Sequence, residues 1–238
     1  MLDRVLRDID EAISPNYLIC TGDLGPAVLP PNRMEPSVET RAQYIAKTSA
    51  VMRRIREWGW HRNFLWVPGN HDDWTLIPAS NLVGVNIHNR LVRLASSEVS
   101  VFGWGGAPQL FGWPMEWTPA QIGEVVVDGS VNLLVTHAPP KQTAGAFAVG
   151  GEDCGVPRIR DWINGRARWS EAGPGLLHVH GHIHEGAGKI TYGTGWVSGN
   201  AGAFGPPYPR AGYLVAETDS PNVLSGAWAL KYVEVSGE

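Results

Sequence analysis

Four short stretches gather the side chains able to hold a metal or move a proton: Thr21-Gly22-Asp23, Gly69-Asn70-His71-Asp72, Thr136-His137-Ala138 and His180-Gly181-His182-Ile183-His184. Asp23 offers a carboxylate, Asn70 a neutral amide oxygen, and His137, His182 and His184 offer imidazole nitrogens. This oxygen and nitrogen mixture suits a borderline divalent ion such as Mn²⁺, Fe²⁺ or Zn²⁺ better than Ca²⁺ or a thiolate site. His71 can act as a ligand or as a proton carrier. Each piece alone has a plainer explanation. An Asp after Gly is usually a turn or cap residue, and a lone His after a strand is usually only hydrogen-bonded. The i, i+2 pair His182/His184 beside Gly181 fits a metal site better. His178 and His180 alternate along the preceding strand and are expected on a sheet face. His61 and His88 sit in polar surroundings and are expected at the surface.

Each stretch follows an apolar run short enough to be a strand: 17–20, 64–67, 131–135 and 176–179. At 64–67, Pro68 and Gly69 stop the strand and deliver Asn70, His71 and Asp72 at its end. Two amphipathic helices precede that point. Leu2, Val5, Leu6, Ile9 and Ile13 fall at helical spacing up to Ser14-Pro15. Ile45, Val51, Met52, Ile55 and Trp58 mark a second helix over 38–58, ended by Gly59. Helix and strand in alternation predict a covered, largely parallel sheet. After about residue 84 short strands follow at 85–87, 91–94 and 99–102, then a Gly/Trp/Pro-rich loop over 103–117. A short helix is expected at 159–163, and closing strands at 190–197, 212–217 and 227–235. The small-residue stretch 138–156 is long enough to suggest an active-site lid.

The bulk numbers exclude several classes. The chain has 238 residues, 43% apolar, without a composition shift or repeat to mark a linker, so one domain over 1–238 is expected. A net charge of −4 argues against broad electrostatic binding to nucleic acid or an anionic membrane. Phosphate substrates stay open, because bound cations supply local positive charge. Two cysteines, Cys20 and Cys154, build no disulfide framework, and neither a signal peptide nor a bilayer-length apolar run is visible. A cytoplasmic location is the expectation.

In order and at plausible spacing, Gly22-Asp23, Gly69-Asn70-His71-Asp72, Thr136-His137-Ala138-Pro139-Pro140 and Gly181-His182-Ile183-His184 resemble the calcineurin-like metallophosphoesterase superfamily. The resemblance runs from about residue 15 to 204. His180 to Gly188, with Gly105-Gly106-Ala107-Pro108 upstream, looks most like its small single-domain phosphodiesterase branch. It implies an α/β fold (α+β by some schemes), a four-layer αββα sandwich of two mixed sheets flanked by helices. It also implies a two-metal centre of Mn²⁺, Fe²⁺ or Zn²⁺. Asp23 would bridge, Asn70, His137 and His182 would join it on one metal, and His184 would serve the other. His71 would be the general acid, oriented by Asp72, beside metal-activated water. The implied activity is hydrolysis of a small phosphate ester, most naturally a diester.

The sequence departs from that pattern at one place. The family's opening strand carries Asp-x-His, and no Asp near the start here is followed two residues later by His. The first residues already read as the helix that comes after that strand. The expectation is four ligands for one ion and only Asp23 and His184 for a second, with an open sheet position beside 17–20. Two other classes compete. A non-catalytic or weakly active metal-binding module on the same fold would explain the missing motif, although it gives His71 no duty. A metallo-β-lactamase-like enzyme would use His178-Val179-His180, but such enzymes resemble His-x-His-x-Asp-His near the chain start. Trp104, Phe111, Trp113, Trp117 and Phe147 either pack under loops, the favoured expectation, or wall a site for a base or aryl group.

Overall fold

The computed structural model describes residues 2–25, 38–95, 97, 99–110, 112–128, 130–167, 175–202, 211–218 and 228–235. The expected loop prolines Pro26, Pro30 and Pro31, and Phe111, lie outside the described residues. In chain order the elements are α1 (Leu2–Ala12), β1 (Leu18–Cys20), α2 (Val38–Glu57), β2 (Phe64–Trp66), β3 (Val85–Asn86), β4 (Arg90–Arg93), β5 (Ser100–Trp104), β6 (Ala107–Pro108) and β7 (Glu116–Trp117). They continue with α3 (Pro119–Gly123), β8 (Leu133–Thr136), α4 (Pro157–Ala167), β9 (Leu176–His180), β10 (Ile190–Gly193), β11 (Trp196–Asn200), β12 (Ala211–Thr218) and β13 (Trp228–Val235).

The side-chain alternation of the strands builds three cores and therefore four layers. Phe64 and Trp66 of β2 point one way, into a core with Val5, Leu6 and Ile9 of α1 and Met52 and Ile55 of α2. Leu65 and Val67 point the other way. They meet Val101, Leu133, Val135, Leu177 and Val179 of the second sheet. The opposite faces of those strands, through Phe102, Leu134 and Leu176, pack on Ile122 of α3 and Ile159 and Ile163 of α4. A strand that is apolar on both faces can exist only between two layers, which is why these runs read as nearly continuous hydrophobics. The result is the expected αββα sandwich.

One sheet has the order β1-β2-β3 and the other β10-β11-β9-β8-β5-β4. The second is mixed: β11-β9, β9-β8 and β8-β5 are parallel, while the outer pairs β10-β11 and β4-β5 are antiparallel. The first is parallel throughout its described strands rather than mixed. β12 and β13 form a separate antiparallel hairpin, which adds Tyr213 and Val235 to the α1/α2 core. Among the described residues β1 pairs with β2 alone. That edge position leaves Leu18, Ile19 and Cys20 half-buried.

Other expectations change for local reasons. The 190–197 segment is two strands, because Gly195, at φ 73°, turns the chain back between them. The helix expected at 159–163 spans Pro157–Ala167. Helix α3 was missed. Thr118 caps it, accepting from the Gln121 N–H while the Gln121 side chain accepts from the Thr118 N–H, with Pro119 in the first turn. Residues 138–156 are not a lid. Val156 N–H donates to Pro139, Lys141 N–H to Val156 and Cys154 N–H to Ala146, so the stretch is sewn to itself. Ala138, Thr143, Ala146 and Val156 are buried. His88 is half-buried rather than at the open surface. Its ring lies 4.8 Å from Trp104, and its Nδ1 accepts from Gly105 N–H.

Candidate metal centre

Strands β1, β2, β8 and β9 all end at the same side of the sandwich. At the tight meeting point of the first two ends, Gly22 and Gly69 touch backbone to backbone. A Cβ on Gly22 would come within 2.5 Å of the Gly69 nitrogen and 2.7 Å of His137 Nδ1. A Cβ on Gly69 would collide with the Asp23 carboxylate. Only glycine permits this approach, and Gly22 also takes a φ of 109°. Asp23 and His182, just past two of the strand ends, adopt left-handed backbones, with φ of 56° and 65°. A positive φ is uncommon outside glycine, although Asp and His adopt it more readily than most residues, and such positions concentrate at functional sites.

His137 stands at the centre of the cluster and is buried. Its Nδ1 lies 2.7 Å from the Thr21 carbonyl. A carbonyl only accepts, so Nδ1 carries the proton and Nε2 presents its lone pair or a second proton. Nε2 faces Asn70 Oδ1 at 3.0 Å and Asp23 Oδ2 at 3.4 Å. With a neutral ring, three acceptors therefore point at one another. A second proton on His137, an amide turned to offer its NH₂, or a cation between them resolves that conflict. Donors sharing one ion at bonds of about 2.1 Å stand roughly 3.0–3.4 Å apart, which is the spacing these three show. The His182 ring is 4.9 Å from the His137 ring, centroid to centroid. Burial first, and His137 second, push its pKa down to about 3, so it presents a neutral imidazole as a ligand must. Among the described residues no group of three or more His, Cys, Asp and Glu side chains is itself closed up around an ion position. The three donors that fit include the amide of Asn70.

Asp23 is held between these partners. Burial would raise its carboxyl, but His137, His71 and His182, with the His71 N–H, outweigh that and keep it below the usual carboxylate range. That N–H donates to Asp23 Oδ1 at 3.2 Å, and His71 Nδ1 lies 3.8 Å from Asp23 Oδ2. The His71 ring is about one-third exposed and rests 4.5 Å from the Trp113 ring. Asp72 does not orient His71. Its buried carboxylate accepts from the N–H groups of Leu24, Gly25 and Gly69 at 3.1, 3.2 and 2.9 Å, clamping the two loops together. Burial, and then the Asp23 charge, push it up to about 6. Asp72 therefore shapes the loops from beneath.

Asp23, Asn70, His71, His182 and His184 line an open cleft of about 180 Å³. Pro108, Leu110, Trp113 and Glu116 line it too, with Glu185 next to His184 in sequence. Sequence reasoning missed the groups that aim these side chains. Asn200, at the end of β11, is fully buried. Its NH₂ donates to the carbonyls of Gly181 (3.4 Å) and Ile183 (2.8 Å), the residues on either side of His182. Nothing in a lone Asn signals that task. Trp104 and Trp117 are buried core residues, as favoured, and Phe147 is half-buried away from the cleft; Trp113 instead lines it.

Comparison with known proteins agrees with this fold. Among solved structures, the Thermus thermophilus sulfate thiohydrolase SoxB in complex with glycerol superposes with a TM-score of 0.50 at 14% identity. The likeness covers 98% of this chain but only 42% of that one, so it speaks for the fold alone. No curated protein matches significantly. Residues 1–186, more than half of the chain, match the family described as calcineurin-like phosphoesterase, and the chain belongs to that family.

Proposed function

We propose that this chain is a metal-dependent hydrolase of small phosphate esters, and of phosphodiesters in particular. The observation that carries the proposal is the convergence of Asp23, Asn70 and His137 at ion-sharing distances, with His71 at the rim of the same cleft. Asp23, Asn70, His137 and His182 would hold one divalent ion, of the Mn²⁺, Fe²⁺ or Zn²⁺ kind. Asp23 and His184 offer fewer donors to a second, which favours one tightly held ion per chain. When bound, such ions acidify a water and neutralise phosphoryl charge. The chain's own residues do the rest. Thr21 fixes the His137 tautomer, Asn200 fixes the turn that carries His182, and Asp72 fixes the two loops that carry Asp23 and Asn70. His71, about one-third exposed beside Asp23, donates the proton to the leaving oxygen. A diester fits better than a monoester, because no Lys or Arg lines the cleft among the described residues to meet a second negative charge. The same lack speaks against a nucleic-acid backbone as substrate.

The test is hydrolysis of bis(4-nitrophenyl) phosphate and 4-nitrophenyl phosphate by protein stripped with chelator and reloaded with Mn²⁺, alongside metal analysis. Metal-restored turnover with higher kcat/KM on the diester is expected. Tight binding of one ion without turnover on either ester would favour the second reading, a metal-binding module, which the thin donor set for a second ion supports. Absence of metal binding would overturn both.

A further inference from the structure

We propose that the loop facing His71 is a built recognition wall, and that it selects esters whose leaving group is planar, apolar and free of negative charge. The inference rests on the phosphoesterase reading of the cleft and adds the substrate class to it.

The wall is fixed to the catalytic turn at both ends. Gly106 N–H donates to the Pro68 carbonyl at 2.8 Å, and Met115 N–H donates to the Asn70 carbonyl at 3.3 Å. Between these ties, β6 and β7 pair in register, Ala107 with Glu116 and Pro108 with Trp117. The Trp117 indole N–H donates to the Gly105 carbonyl at 3.2 Å, locking the base of the loop. The tip is tied from inside. Glu116 Oε2 accepts from the N–H of Leu110 at 3.0 Å and of Gly112 at 2.6 Å. A segment held at its base, flanks and tip presents its side chains at set positions.

Those side chains are apolar on the cleft side. Trp113 packs its ring against His71 at 4.5 Å, tilted by 55°. Leu110 lines the same cleft and is 65% exposed, and Pro108 is beside it. An exposed leucine next to a half-exposed tryptophan, both facing a pocket, gains most when a flat apolar group covers them. The group that would do so is the one leaving toward His71, because Trp113 touches the proton donor itself. Besides Asp23, the carboxylates lining the cleft are Glu116, tied to the loop's own N–H groups, and Glu185, next to His184 in sequence. A leaving group with its own carboxylate or phosphate would meet like charge there. An aryl alcohol or a neutral heterocycle meets none.

The test uses nonhydrolysable phosphinates, which carry the single negative charge of a diester and keep the leaving-group side in place while nothing reacts. Benzyl(methyl)phosphinate and ethyl(methyl)phosphinate are titrated calorimetrically into Mn²⁺-loaded protein. The benzyl compound should bind roughly tenfold more tightly, the scale of one aromatic contact plus its buried area. A carboxylate on the ring should weaken it. Trp113→Ala should bring the two affinities together through the benzyl compound alone, leaving the affinities for the ethyl compound and for Mn²⁺ unchanged. Trp113→Phe should keep most of the preference. Equal binding by wild type, or a preference that survives Trp113→Ala, would overturn the wall while leaving the phosphoesterase reading intact. Failure of both phosphinates to bind would overturn that reading and the wall with it.

Discussion

Four histidines alternate along one stretch of chain, and the first two differ from the last two in almost every physical respect. His178 and His180 lie on β9, buried, their rings stacked 5.3 Å apart. His178 is fully satisfied. Its Nε2 donates to Thr136 Oγ1, whose own proton goes to the Ala138 carbonyl, and its Nδ1 accepts from Ser198. His182 and His184 stand in the cleft, past the strand end, the first at a φ of 65° and the second opening a short 3₁₀ turn. The residue type and the spacing are the same on both sides of Gly181. What separates a core histidine from a candidate ligand is where the ladder of strand bonds stops and what turns the chain there.

The largest expected effect sharpens this difference. His182→Ala should weaken divalent-metal binding by well over the 10–100-fold typical of losing a supporting partner, and His178→Gln should change it less than twofold. Metal titration of both variants checks it, and equal losses would erase the distinction. Next, His71→Ala should lower turnover by roughly 10²–10⁴-fold on esters with poor leaving groups, and much less on nitrophenyl esters, with metal content unchanged. Lost metal would make His71 a ligand and join it to the His182 class. Third, Asn200→Ala should cost roughly tenfold in metal affinity by freeing the carbonyls that flank His182. A loss of stability with affinity intact would show that the turn holds itself.

The smallest effect concerns the buried pair alone. Burial holds the His178 pKa well below its ordinary value and brings His180 to about 3. The unfolded chain therefore binds more protons than the folded one between about pH 6.5 and those depressed values. Stability from the neutral rings is present above pH 6.5 and falls as pH drops through that window. Each ring adds up to about 1.4 kcal/mol per pH unit to the slope. Denaturant melts of metal-free protein at pH 7, 6 and 5 should show a shallower acid decline for His178→Gln than for wild type.

These four histidines also mark how far the sequence could be read. The strands are legible because they are apolar on both faces, and the positions of Asp23, Asn70, His137 and His182 follow from where those runs end. The division of His178 and His180 from His182 and His184 was visible through Gly181. The supports were not. Asn200 binds carbonyls 17 to 19 residues away, and Asp72 binds N–H groups 47 and 48 residues back, contacts that leave no local trace. Asp72 was assigned to His71 because the family resemblance implied it, and nothing local pointed to the distant N–H groups instead. The 138–156 stretch was misjudged for the converse reason. Small residues suggest mobility, yet they also let backbone pack against backbone.

The hairpin β12–β13 has a consequence for how the chain comes to be folded. The Tyr213 hydroxyl donates to the Asp8 carboxylate across 205 residues of sequence, and Val235 shares a core with Val5 and Leu6. Contacts of such separation close very large loops, which slows their formation. On the ribosome, Asp8 emerges 205 residues before Tyr213, and α1 waits that long for the hairpin to complete its core. At 5–20 residues per second that interval is roughly 10–40 seconds, long enough for a chaperone to bind the helix before its own hairpin arrives.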